Sequence, residues 1–119
     1  MLRRLRLKGR LVGPEELALE LGRGDDVLVI DVRSAGEYAG GHIRGALNLP
    51  LDVLPERLKT LATDLEAYRA APVVVVCRSE NRSSTAFHQM RTAGFTNLRV
   101  LAGGMTAWES GTRHVTRGG

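Results

Sequence analysis

The chain's one cysteine, Cys77, follows the apolar run Val73-Val74-Val75-Val76 and opens the segment Cys77-Arg78-Ser79-Glu80-Asn81-Arg82-Ser83-Ser84. A thiol attacks as its thiolate, and an ordinary one, with a pKa of about 8.5, is only a few per cent ionised at neutral pH. A helix N-terminus, converging backbone amides and guanidinium charge all favour the anion, and together they can bring the pKa to roughly 3.5–7.5. The residues supply each part: a buried strand, a short loop, a hydroxyl-rich helix start and two arginines. A cysteine serving only as a small hydrophobe at a strand end has no use for that charge. The pattern therefore predicts a nucleophilic sulfur in an anion cradle. Arg82 would add positive charge to the cradle, Arg78 would steer anions from the rim, and Ser83 and Ser84 would cap the helix or join the cradle.

The elements that must position this loop alternate along the chain. Gly13-Pro14-Glu15-Glu16 reads as a helix start, with proline at the first helical position and acids in the first turn; Gly22 reads as its stop. Val27-Leu28-Val29-Ile30 is too apolar for a strand with one wet face, which places it inside a parallel sheet. Ser34 and Glu37 form a capping box for a short helix ended by Gly40-Gly41. Ala46-Leu47-Asn48-Leu49 is a short strand. From Pro55 to Ala70, Leu58, Leu61, Leu65 and Tyr68 recur at helical spacing, with Thr63-Asp64 as a break point. The valine run is the next strand, Ser83 to Ala93 a helix stopped by Gly94, Leu98-Arg99-Val100-Leu101 the last strand, and a short helix bearing Trp108 ends at Gly111. The fold class is α/β: an open, mostly parallel sheet with helices on both faces. Ligands of such sheets bind outside the carboxyl ends of the strands, where Cys77 falls.

Composition sets the bounds. A chain of 119 residues suits one domain. We divide it into a basic lead-in or edge strand over 1–10, a single domain over 11–112 and a polar tail over 113–119. Within the lead-in, Leu5-Arg6-Leu7-Lys8 is the candidate edge strand, its positive charge discouraging edge pairing. No apolar stretch approaches the roughly 20 residues of a membrane span, and no signal-peptide core follows the basic start. One cysteine permits no internal disulfide, which fits a reducing, cytoplasmic setting. The net charge is +4, but arginines are scattered and aromatic residues are 4%, too few for a base-stacking platform, so no nucleic-acid partner is expected. No metal is expected either, because His42, His88 and His114 lack neighbouring carboxylate or thiol ligands at useful spacing. His42 reads as structural, and no cofactor is called for.

Three segments resemble the rhodanese family: DVRSAGEYAGGHIRGALNLPL from Asp31, CRSENRSS from Cys77 and LAGGMTAW from Leu101. The resemblance runs from about Val12 to Gly111. It implies a five-stranded rhodanese-like fold and a sulfurtransferase in which Cys77 takes a sulfane sulfur from thiosulfate or a persulfide, carries it as its own persulfide, and gives it to cyanide, a thiol or a protein acceptor. Cys77 is the catalytic residue on this reading. Arg78, Ser79, Glu80, Asn81, Arg82 and Ser83 line the substrate site, and Asp31, Arg33 and Glu37 form an ion-pair network bracing its floor.

The loop departs from the family's common CRSGNRS at Glu80. Glycine there can take positive φ and leaves room for an anion, whereas glutamate costs conformational energy and brings negative charge. Pointing outward, the carboxylate leaves thiosulfate turnover intact; pointing inward, it opposes it, and Glu80→Gly should then raise turnover. The longer segment from Ala62 to Ala71 is a second departure, an extra stretch of helix before the active strand. Two other classes stay open: a binding module without catalysis, and a phosphatase or arsenate reductase. The latter commonly place the arginine one residue farther along and a histidine before the cysteine, where this chain has Val76.

Overall fold

The computed structural model describes residues 10–64, 69–111 and 114–118. Five strands, β1 (Leu11–Val12), β2 (Leu28–Asp31), β3 (Leu47–Asn48), β4 (Val73–Val76) and β5 (Leu98–Leu101), form one sheet in the order β1-β5-β4-β2-β3. Every pairing is parallel. The valine strand is central. Its flanking register sets Asp31 beside Val76 and Val75 beside Val100, so β2 and β4 reach the carboxyl rim together. The described residues also form five helices: α1 (Pro14–Gly22), α2 (Ala35–Ala39), α3 (Leu54–Asp64), α4 (Asn81–Thr92) and α5 (Gly104–Ser110).

The period-2 geometry of a strand divides the valine run between two cores. Val73 and Val75, with Cys77 continuing their parity, pack with Ile30, Leu54, Leu58, Ala86, Phe87 and Met90 under α3 and α4. Val74 and Val76 face the opposite way, onto Leu17 of α1 and Met105 and Trp108 of α5. Burial on both faces is why no polar residue interrupts this strand. A fully buried side chain such as Leu17 or Met90 contributes roughly 1.5–3 kcal/mol by leaving water. On α1 the buried Glu20 is neutralised by a two-pronged bond from Arg99 of β5, at 2.7 and 2.8 Å, which fastens the helix to the sheet.

Several boundaries differ from the sequence reading. Helix α1 runs through Gly22, and the left-handed residue after it is Gly24, at φ 77°. The edge strand found is Leu11–Val12, inside the domain and paired with β5. The expected edge strand at 5–8 lies outside the described residues, as do Leu65 and Tyr68 of the expected long helix, whose described part ends at Asp64. Part of the expected tail is docked on the domain. His42 and Thr116 exchange backbone bonds at 2.8 and 2.7 Å, and Trp108 Nε1 donates to the His114 carbonyl. Among the described residues no helix is long and apolar enough to cross a membrane.

Candidate active site

Cys77 sits at the carboxyl end of the central strand and is 1% exposed. Its Sγ accepts the backbone N–H of Ser83 at 3.3 Å. Ser83 is the third residue of α4, so the sulfur occupies the place where a helix N-terminus receives an acceptor. Beside it, the Ser83 hydroxyl oxygen is buried and has no hydrogen-bond partner among the described residues. Ser84 is engaged differently: its hydroxyl donates to the Glu80 carbonyl at 3.1 Å, within the first turn of α4.

The loop is held from the other side by the β5–α5 turn. Met105 N–H donates to the Cys77 carbonyl at 2.8 Å, and Thr106 N–H to the Arg78 carbonyl at 3.0 Å. This docking demands glycine. Gly104 has φ 58°, and a Cβ there would lie 2.4 Å from the carbonyl oxygens of both Cys77 and Ser79. The contact of Gly104 with the cysteine loop is a tertiary fact with no local signal in the sequence.

Arg82 is half-exposed, and its guanidinium is already engaged. It donates from both terminal nitrogens to Glu37, at 2.6 and 2.9 Å. Glu37 is oriented in turn by the capping box of α2, accepting from Ser34 N–H at 3.0 Å while the Ser34 hydroxyl accepts from Glu37 N–H. The Arg82 bond is the main reason that the Glu37 carboxyl falls to about 2, with Ser34 adding to it against the opposing cost of burial. The Arg82 guanidinium is pushed further up, chiefly by Glu37 and in smaller part by the charge of nearby Cys77.

The expected floor network is therefore two separate pairs. Asp31 and Arg33 form a buried fork, with Nε and Nη2 of Arg33 reaching the carboxylate at 2.8–3.2 Å and Nη2 also meeting the Gly41 carbonyl at 2.7 Å. Glu37 turns to Arg82 instead. Asn48 of β3, which the sequence reading did not single out, donates to the carbonyls of both Asp31 and Arg33 at 3.0 Å and ties this rim to the sheet edge. His42 is buried, stacks on Tyr38 at 3.6 Å and holds the Tyr38 carbonyl through Nδ1, away from the sulfur's partners.

Glu80 does not take the positive φ that a glycine would supply; its φ is −148°. The left-handed backbone for which glycine would be needed is not used here. Its carboxylate accepts from Gly103 N–H at 2.8 Å, bridging the cysteine loop to the β5–α5 turn. Arg78, Ser79 and Asn81 are exposed around the loop.

Residues 13–111 match the family model described as Rhodanese-like domain. The chain belongs to the rhodanese-like family. A protein named Sulfurtransferase from Allochromatium vinosum is 34% identical over 97 residues, covering 82% of this chain and 85% of that one. Thiosulfate sulfurtransferase GlpE of Pseudomonas putida is 32% identical, covering 82% and 83%. The maize protein named adenylyltransferase and sulfurtransferase MOCS3-1 is 37% identical over 86 residues, but the match spans only 18% of its length. Among solved structures, the human single-domain sulfurtransferase TSTD1 superposes with a TM-score of 0.74 at 29% identity, covering 85% of this chain and 96% of that one. A rhodanese-related protein from Thermoplasma volcanium gives 0.76 at 26%, covering 90% and 97%.

Proposed function

We propose that this rhodanese-like domain transfers a sulfane sulfur through a persulfide on Cys77. The observation that carries the reading is the bond from the Ser83 amide to the Cys77 sulfur at the N-terminus of α4, which gives an anion on that sulfur a fixed donor. The thiolate attacks the outer sulfur of thiosulfate. A Cys–S–S⁻ bond forms, the S–S bond of the donor breaks, and sulfite leaves with the electron pair. Cyanide or a thiolate then attacks the outer sulfur, departs with it, and returns the Cys77 thiolate. No proton has to move in either step, so no general base is required. The orphan Ser83 hydroxyl is available to the added sulfur, and the paired Arg82 supplies fixed positive charge beside it. The relatives named as sulfurtransferases support this reading. Thiosulfate or a persulfide as donor, and cyanide, a thiol or a protein as acceptor, are the substrates it assigns.

The oxyanion-ester alternative has less support. A phosphate or arsenate clamp uses the two-pronged face of an arginine, and here both terminal nitrogens of Arg82 are on Glu37.

Turnover tests the assignment. Protein supplied with thiosulfate and cyanide should form thiocyanate, and Cys77→Ser should form none. Hydrolysis of an aryl phosphate without thiocyanate formation would replace the reading with the alternative.

A further inference from the structure

An α-helix ordinarily begins with a residue whose side-chain oxygen accepts the N–H of the second or third helical position. In α4 the residue at that capping position, just before Asn81, is Glu80, and its side chain makes no such bond. The N–H it would take, that of Ser83, goes to the sulfur of Cys77. The Glu80 carboxylate is turned out of the helix and held 2.8 Å from the Gly103 nitrogen. The sulfur and the Glu80 side chain are thus rival acceptors for one amide, and the structure separates them.

We propose that Glu80 is a positioning residue for the nucleophile: anchored on Gly103, it leaves the Ser83 amide to the sulfur. The inference rests on reading Cys77 as the nucleophile. Two features of the structure make the anchor dependable. Gly103 stands next to Gly104, which is packed so tightly on the Cys77 and Ser79 carbonyls that the turn cannot shift without moving the loop. Met105 and Thr106 lock the same turn to the loop through their own N–H groups. Glu80 is therefore one more stitch between two segments already in register, and its length suits it. A side chain one methylene shorter falls back toward its own helix, where aspartate, asparagine and serine are the favoured caps. Such a cap stabilises the helix while removing the sulfur's donor.

The experiment uses the full chain and three substitutions, Glu80→Gln, Glu80→Asp and Glu80→Ala. It reads the rate of Cys77 alkylation by iodoacetamide, a neutral reagent insensitive to donor charge, and the thermal midpoint. Glu80→Gln keeps a carbonyl oxygen for Gly103 and should alkylate within about twofold of the parent. Glu80→Asp should alkylate about three- to tenfold more slowly, the effect of losing one hydrogen bond to the sulfur, while melting no lower than Glu80→Ala. Glu80→Ala lacks both stitch and competitor, so it should melt below the parent yet alkylate faster than Glu80→Asp. A residue that only stiffened the loop would slow alanine as much as aspartate. Equal rates for aspartate and alanine, or a glutamine variant as slow as aspartate, overturn the proposal. Since alkylation needs no sulfane donor, a correct rate order without thiocyanate formation would sink the sulfur-transfer reading and leave this one standing.

Discussion

Arg82 of the cysteine loop and Glu37 of α2 meet in a two-pronged ion pair, 45 residues apart in sequence and 2.6 and 2.9 Å apart in space. The pair joins the segment that follows β2 to the segment that follows β4, and through Ser34 it is built on a helix cap. It fixes the guanidinium at the start of α4 without leaving it free to swing.

Removing the carboxylate's charge should loosen both ends. Glu37→Gln weakens the capping box and the Arg82 pair together and is expected to lower unfolding stability by about 1–2 kcal/mol. Thiosulfate turnover should fall with it. Urea unfolding and thiocyanate formation measure the two effects, and an unchanged turnover would mean that Arg82 needs no anchor.

The same pair has a pH signature. Glu37 is held at about 2 in the folded chain, below its ordinary value of 4.5, so its contribution is fully present above about pH 4.5. It is lost as pH falls from there toward 2. The stability difference between the parent and Glu37→Gln should therefore be constant from neutral pH to about 5 and shrink below 4.5. Denaturation midpoints in both proteins across that range check the sign; a gap that widened on acidification would contradict it.

Gly104→Ala puts a methyl where two carbonyl oxygens already lie 2.4 Å away, at a φ of 58°. Backbone must move. A loss of about 2–4 kcal/mol is expected from strain and overpacking combined, together with a slower-reacting Cys77, because the displaced carbonyls belong to its own loop. Gly36→Ala, with open space around it, is the control and should leave the alkylation rate unchanged.

The buried fork of Asp31 and Arg33 lies at the same rim as Cys77. Arg33→Leu leaves the Asp31 carboxylate buried without its partner, for which about 3–5 kcal/mol of destabilisation is expected. Replacing both residues by a matched apolar pair should recover much of that loss, which a denaturant series on the single and double variants measures.

Much of this arrangement was legible from residue types. The all-valine run can only be a strand buried on both faces, and the register of Asp31 beside Val76 follows once β2 and β4 are neighbours. The capping box at Ser34 and Glu37 is a four-residue signal and is found as read. What local pattern does not hold is choice of partner. Glu37 has arginines at 33 and 82 within reach of a sequence argument, and only the fold, by bringing α2 over the start of α4, decides for Arg82. Glu80 misled for a related reason: a family glycine suggests a positive φ, but φ is −148°, and the side chain's destination on Gly103 depends on a turn 23 residues away. The strand at Leu11 and Val12 went unread because two residues are too short to announce themselves beside the more regular alternation at 5–8.

The central claim is a covalent one and is best tested by intact mass. Protein incubated with thiosulfate and freed of excess donor should gain the mass of one sulfur atom, lose it on addition of cyanide, and show no gain in Cys77→Ser. A parent protein that stays at its starting mass with thiosulfate and with a persulfide donor alike, while its cysteine remains free to alkylate, would contradict the account.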